Sequence, residues 1–294
     1  MTSKLLLVDA YANIYRAFFA IRSLTGPAGQ PVNAIFGFTK MLRKMIAEHA
    51  PTHVAVVFDL GAPRKRLAVL PSYKEQRPPT PPDLEQQLPA IRDLLAAWRL
   101  PVVEMEGEEA DDIIATLATQ AGMAVLIASN DKDFAQLVTN QIQLLRAGDK
   151  GDIVCGPEAI VAKYGVTPSQ FIDYQSLLGD NVDNIPGVPG IGPKTAVELL
   201  RQFGSVDKLL KQAAEIVRPR IRELIVANAG QVRQTRQLVT LETKLGLPCT
   251  VAELKIQEPD YPRILDLLRG HGFKSLTTEF DKESQRGTDL FGGR

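Results

Sequence analysis

Three short, wholly apolar runs each give way to an aspartate, and this pattern constrains the fold more than any other feature of the chain. Leu5-Leu6-Leu7-Val8 ends in Asp9, Val54-Ala55-Val56-Val57-Phe58 ends in Asp59, and Ala124-Val125-Leu126-Ile127-Ala128 leads through Ser129-Asn130 to Asp131. Short apolar runs without alternation read as central strands of a parallel sheet, buried on both faces. Helical patterns lie at about 33–49, 83–98 and 110–121, so strands and helices alternate as in an α/β fold. The ligand crevice of such a sheet lies beyond the carboxyl ends of its strands. All three aspartates stand there.

More carboxylates join them. Gly107-Glu-Glu-Ala-Asp-Asp-Ile-Ile puts four acids into five residues at a predicted helix start. One or two acids there complement the helix dipole, but four repel one another. Glu109 and Asp112 share a helix face, with Asp111 beside them in the first turn. Asn130-Asp131-Lys132-Asp133-Phe134 follows a strand, and Leu178-Gly-Asp-Asn-Val-Asp-Asn184 offers Asp180 and Asp183 in a turn. Neither segment has the sixth-position glycine and twelfth-position glutamate of an EF-hand. The set Asp9, Asp59, Glu109, Asp111, Asp112, Asp131, Asp133, Asp180 and Asp183 points to hard divalent cations, Mg²⁺ or Mn²⁺, rather than zinc. His49, His53 and His271 are too scattered to form a ligand set and read as structural. Cys155 and Cys249 have no CxxC spacing and read as free thiols. Two hard cations suit phosphodiester hydrolysis, whose anionic substrate repels a nucleophile and whose transition state gathers further charge.

Taken alone, the balance of 34 Lys and Arg against 34 Asp and Glu argues against a nucleic-acid partner. Setting aside the nine acids of the cluster leaves 25 acids facing 34 bases, so the remaining surface is basic. The segment from Ala62-Pro-Arg-Lys-Arg66 to Pro82 is rich in proline and positive charge, too long for a tight connection, and reads as a loop over the crevice. No run reaches the length of a membrane span, and the apolar start is too short for a signal peptide. The expectation is a cytoplasmic protein without membrane contact.

Beyond residue 156 helical patterns with Gly and Pro breaks dominate. Ile185-Pro-Gly187-Val-Pro-Gly190-Ile-Gly192-Pro-Lys194-Thr195 precedes an apolar-periodic helix, and Gly204-Ser205 begins another. Glycines permit close backbone approach, and free N–H groups at a helix start bind phosphate. A dinucleotide-binding turn needs a preceding strand, which is missing. The remaining ligand is a DNA backbone, gripped without sequence readout.

From Leu5 to about Phe280 these motifs occur in the order found in the 5′-nuclease domain of bacterial DNA polymerase I: LLLVDA, YRAFFA, NAIFGF, VVFD, YKEQR, GEEADD, NDKDF, LLGDNVDNIPGVPGIGPKTA and GFKSLTTEF. The chain thus resembles the flap endonuclease family. The resemblance implies an α/β, PIN-like domain over 1–166 with a central, mostly parallel sheet and a helical arch at about 62–93. A helical domain with a helix-hairpin-helix motif follows over 167–280, and 281–294 reads as a disordered tail. It also implies a structure-specific 5′ nuclease, a two-metal 5′-3′ exonuclease and 5′-flap endonuclease in replication or repair. Asp9, Asp59, Glu109, Asp111 and Asp112 match ligands of the first Mg²⁺ or Mn²⁺. Asp131, Asp133, Asp180 and Asp183 match those of the second.

Lys74 and Arg77 match arch residues that steady the scissile phosphate, and Tyr73 matches one placed to stack on a base. Arg66, Gly187, Gly190, Gly192, Lys194 and Thr195 match DNA-contacting positions, with K⁺ expected at the hairpin. The implied partner is DNA with a 5′ flap, nick or 5′ end, bound by a monomer. Lys65-Arg66-Leu67-Ala68 departs from the Phe-Arg-His-Glu usual among relatives, which leaves substrate preference open. The tail's Gln285-Arg-Gly-Thr-Asp-Leu290-Phe291 is similar to peptides that dock on bacterial sliding clamps, or is a tail without a role. The chain carries no polymerase or proofreading segment, as expected of a stand-alone relative or an excised fragment. Two other readings stay open: a PIN-type ribonuclease and a non-catalytic DNA-junction binder.

Overall fold

The computed structural model describes residues 3–148 and 151–286. The apolar runs form β1 (Lys4–Asp9), β2 (His53–Val57) and β4 (Ala124–Ala128), joined by β3 (Val102–Val103), β5 (Ile142–Gly148) and β6 (Gly151–Cys155). Their order is β3-β2-β1-β4-β5-β6, parallel except for the β5–β6 pair. Pairing of Leu5 with His53 and Val125 puts β1 in the middle. Alternate residues then serve opposite cores: Leu5 and Leu7 face one cluster with Val125 and Ile127, while Leu6 and Val8 face the other with Val54 and Val56. Burial on both faces is why these strands lack a polar alternation.

One face is covered by α1 (Ala10–Ala20), α2 (Asn33–His49), α4 (Pro82–Glu85) and α5 (Leu88–Ala97), the last two closing the segment read as the arch; α3 (Arg64–Val69) lies near its start. The other face receives α6 (Ala110–Gln120) and, after α7 (Pro157–Tyr164), the helical region of α8 (Phe171–Leu178), α9 (Pro193–Phe203), α10 (Val206–Lys211), α11 (Pro219–Ala227) and α12 (Ala229–Val239). The core of this region is continuous with that of the sheet, since Phe171, Leu200 and Val232 share a cluster with Leu5 and Ile127. The last two helices, α13 (Tyr261–Gly270) and α14 (Lys274–Arg286), return to the first face, where Phe280 meets Trp98 edge-on at 5.1 Å.

The chain from Asp281 to Arg286, read from sequence as the start of a tail, continues α14. Its polarity misleads because Glu279 and Glu283 pair with Arg43 of α2, so the polar face of α14 is itself a docking surface. The clamp-like peptide runs from Gln285 into residues that lie outside the described ones. Among the described residues no helix is long and apolar enough to cross a membrane.

Candidate metal centre and its arch

Asp9 closes β1 and caps α1, its Oδ1 accepting from Ala12 N at 3.1 Å while Ser129 Oγ donates to Oδ2 at 2.7 Å. Asp59, just beyond β2, accepts from Ala110 N at 2.9 Å and so ties the second strand to the start of α6. Asp111 lies in the first turn of that helix. Beyond β4, Asp131 Oδ1 accepts from Asp133 N at 2.8 Å. Asp180 stands in β7 (Gly179–Asp180), which pairs with β8 (Ile185–Pro186), and Asp183 lies in the turn between them. Asp133, Asp180 and Asp183 each bring one carboxylate oxygen within 4.8 Å of the others.

The electrostatics follow from crowding in a dry place. Burial first, then its acidic neighbours Asp59 and Asp131, push the Asp9 carboxyl up to about 6. Burial and Asp131 push Asp133 up to about 7, and burial with Asp131 and Asp9 holds Asp111 well above the usual carboxylate range. These are carboxylates whose ionised form lacks compensation within the cluster. Donors that are all oxygen, converging on a few ångströms and carrying excess negative charge, fit hard divalent cations.

The cluster is not uniform. Glu109 and Asp112 turn toward the arch, where Arg66 pairs with both. Arg66 Nε also donates to Leu238 O at 3.0 Å, so the guanidinium pins the base of the arch to the end of α12. Asp112 is saturated by Arg66 and by Glu242 N, which donates at 2.8 Å. Those carboxylates hold Arg66 firmly in its charged form against the cost of burial. Arg66, expected at DNA, is here a tie within the protein.

The turn Ser72–Arg77 is likewise drawn inward. Lys74 pairs with Glu109 and lies 3.8 Å from Asp183, while Arg77 Nη2 meets Asp183 Oδ1 at 2.5 Å. Tyr73, expected to stack on a base, is only 6 % exposed, and its hydroxyl lies 3.1 Å from Glu109 Oε1 and 3.0 Å from Asp183 Oδ2. In this arrangement its ring face is not open to a ligand. Across the site, Lys132 meets Asp180 at 2.8 Å.

The hairpin glycines divide into two kinds. A Cβ on Gly187 would fall 2.1 Å from Leu178 O, so this glycine is required by the backbone packing of β7 against β8. Gly190 adopts φ +86°, which suits the turn before α9. Gly192 has open space around it and caps α9, whose first turn presents Lys194 to solvent and half-buries Thr195.

Several supporting residues escaped the sequence reading. Asn13 Nδ2 donates to Asp9 O and Ala128 O, both at 2.8 Å, clamping the ends of the two central strands. Gln175 of α8 donates to Asp133 Oδ1 at 2.5 Å, and the buried Arg146 donates to Asp131 O at 3.0 Å. Ser129 Oγ also accepts from Asp131 N at 3.1 Å. Only Ser129, between a strand and the NDKD segment, stood beside a readable signal.

Two family models account for most of the chain: the 5′-3′ exonuclease N-terminal resolvase-like domain over residues 4–165 and the 5′-3′ exonuclease C-terminal SAM fold over 166–262. A 5′-3′ exonuclease of Aquifex aeolicus is 38% identical over 281 residues, covering 95% of each chain. DNA polymerase I of Bacillus caldotenax is 39% identical over 289 residues, 97% of this chain and 33% of that protein. The chain thus spans about a third of the length of such polymerase relatives. A bacteriophage T5 flap endonuclease, solved as a pseudo-enzyme–product complex with DNA and metal ions, shares the fold with TM-score 0.67 at 20% identity, covering 95% of this chain and 97% of that one.

Proposed function

The chain belongs to the 5′-3′ exonuclease family, and on that premise we propose that it is a divalent-metal-dependent, structure-specific 5′ nuclease acting on DNA. The observation that carries this reading is that Asp133, Asp180 and Asp183 come together beneath a basic arch, with Asp9, Asp59, Asp111 and Asp131 close enough to raise one another's or Asp133's affinity for a proton. Asp9, Asp59, Glu109, Asp111 and Asp112 would hold or steady one Mg²⁺ or Mn²⁺, directly or through water. Asp131, Asp133, Asp180 and Asp183 would hold another. When bound, such a pair supplies a reactive water and charge compensation for an in-line displacement at phosphorus.

The protein's own part is positional. Lys74 and Arg77 exchange carboxylate partners for the scissile phosphate and there act electrostatically. The free N–H groups at the start of α9, with Lys194 and Thr195, take a backbone phosphate, and K⁺ would sit at the same hairpin. Between Lys194 and Lys244 ten Lys and Arg face five Asp and Glu. A cleft of about 780 Å³ brings Lys65, Arg66, Arg233, Arg236 and Lys244 together with Asp112, Asp207 and Glu242, a net basic lining that offers the duplex a further surface. We place this activity on 5′ flaps, nicks and 5′ ends in replication or repair, carried out by a cytoplasmic monomer and leaving a 5′ phosphate and a 3′ hydroxyl.

The test is a panel of 5′-labelled flap, nicked duplex, single-stranded DNA and RNA, incubated with Mg²⁺ or Mn²⁺ and either wild type or Asp131→Asn. Cleavage near the flap junction by wild type alone is the expected result. Binding without cleavage in either metal refutes the reading, and cleavage of RNA alone moves it to a ribonuclease.

A further inference from the structure

Tyr73 lies where two distant parts of the chain meet. Glu109 belongs to the sheet domain and Asp183 to the turn after α8, 74 residues later in sequence. Both carboxylates are buried, and they repel one another across Lys74, which pairs with Glu109 and lies 3.8 Å from Asp183. A phenol has one proton to give, and this one is within reach of both carboxylates, at 3.1 Å from Glu109 Oε1 and 3.0 Å from Asp183 Oδ2. The ring is held by its burial among Ile185, Leu238 and Val239, so the hydroxyl cannot swing away without opening that small apolar cluster.

The backbone shows the same demand. Lys74 adopts φ +57°, a left-handed conformation that is strained for a non-glycine residue. That turn is stapled to the Asp183 loop: Lys74 N donates to Asp183 O at 3.0 Å, Asn184 Nδ2 to Ser72 O at 2.7 Å, and Gln76 Nε2 to Asn181 O at 3.0 Å. Strain held by these three contacts puts one phenol between two carboxylates.

We propose that Tyr73 is a positioning residue that sets the separation of Glu109 and Asp183 through its hydroxyl, and that this spacing determines divalent-cation affinity. The proposal rests on the carboxylate cluster being a metal site, as argued above. It assigns the hydroxyl, not the ring face, as the working part of the side chain.

Mn²⁺ binding by isothermal titration calorimetry, together with thermal melts of the metal-free proteins, tests it on wild type, Tyr73→Phe, Tyr73→Leu and Gln76→Ala. Tyr73→Phe keeps the ring and its packing, and is expected to weaken at least one Mn²⁺ site on the order of tenfold, the scale of lost outer-shell hydrogen bonds. Tyr73→Leu should weaken it at least as much. Gln76→Ala, which loosens the same turn and spares the hydroxyl, should stay within about twofold of wild type. Wild-type affinity in Tyr73→Phe overturns the proposal, as does a Gln76→Ala loss equal to that of Tyr73→Phe. Mn²⁺ binding absent from wild type itself removes the metal reading and the bridge with it, an outcome distinct from the other two.

Discussion

At the scale of single residues, the same residue type does different work in neighbouring places. Gly187 and Gly192 are five apart and read alike in the sequence, yet one has no room for a methyl and the other has open space. Gly187→Ala is therefore expected to cost about 3 kcal/mol through forced backbone movement, and Gly192→Ala about 0.5 kcal/mol, both read from urea unfolding. If phosphate contact were the only task of Gly187, the two would unfold alike. Asp133 makes a second prediction. Its carboxyl, pushed up to about 7 by burial and Asp131, keeps a proton in the fold that the unfolded chain has already lost above 3.8, the ordinary aspartate value. The sign is thus a stability present at low pH and lost as pH rises through about 7. Between pH 6.5 and 8.5 the metal-free protein should lose about 1 kcal/mol on this account. Asp133→Asn, which can still accept from Gln175, should flatten that slope and raise the melting temperature at pH 8.5 in EDTA. An unchanged slope would mean that the burden lies on other members of the cluster.

Among the elements, legibility tracks the range over which the signal is written. β1, β2 and β4 and the helices α2 and α6 were readable because burial on one or both faces imposes a local period on the residues. The acidic ends of those strands were readable for the same reason, since each aspartate terminates an apolar run. The arch turn was not. Tyr73 sits among polar and basic neighbours in sequence, and the residues that bury it are distant ones: Glu109, 36 residues away, Asp183, 110 residues away, and the apolar Ile185, Leu238 and Val239. Asn13, whose second carbonyl partner is 115 residues distant, was silent for the same reason. The extent of α14 was missed because its ion pairs with Arg43 bridge 236 and 240 residues. That helix is anchored by Leu276, fully buried, and by Phe280, 1% exposed against Trp98. Phe280→Ala should cost about 3 to 5 kcal/mol and raise amide exchange through Lys274–Arg286, while leaving the hairpin region protected. Uniform protection of α14 in that variant would show that Leu276 and the Arg43 pairs suffice without Phe280.

For the molecule as a whole, zero net charge conceals a division of labour between a buried acidic centre and a basic exterior. A phosphodiester backbone approaching the arch meets attraction from Lys194, Arg233 and Lys244 and repulsion from the carboxylates beneath. The two terms respond differently to conditions. Exterior attraction is screened by salt, whereas the buried repulsion is screened much less and is offset by a divalent cation. Flap DNA should therefore bind more tightly in Ca²⁺ than in EDTA at equal ionic strength, measured by fluorescence anisotropy. Asp131→Asn removes one half-buried carboxylate of the acidic centre, so it should bind DNA more tightly than wild type in EDTA and lose most of that advantage in Ca²⁺, where wild type gains more. Arg233→Ala acts on the other term. It should weaken binding equally in both media and reduce the slope of log K against log salt by about 0.9, the share of one phosphate contact. Equal effects of Ca²⁺ on wild type and Asp131→Asn would mean that the buried charge is not felt by the substrate, and that the acidic centre governs chemistry without governing access.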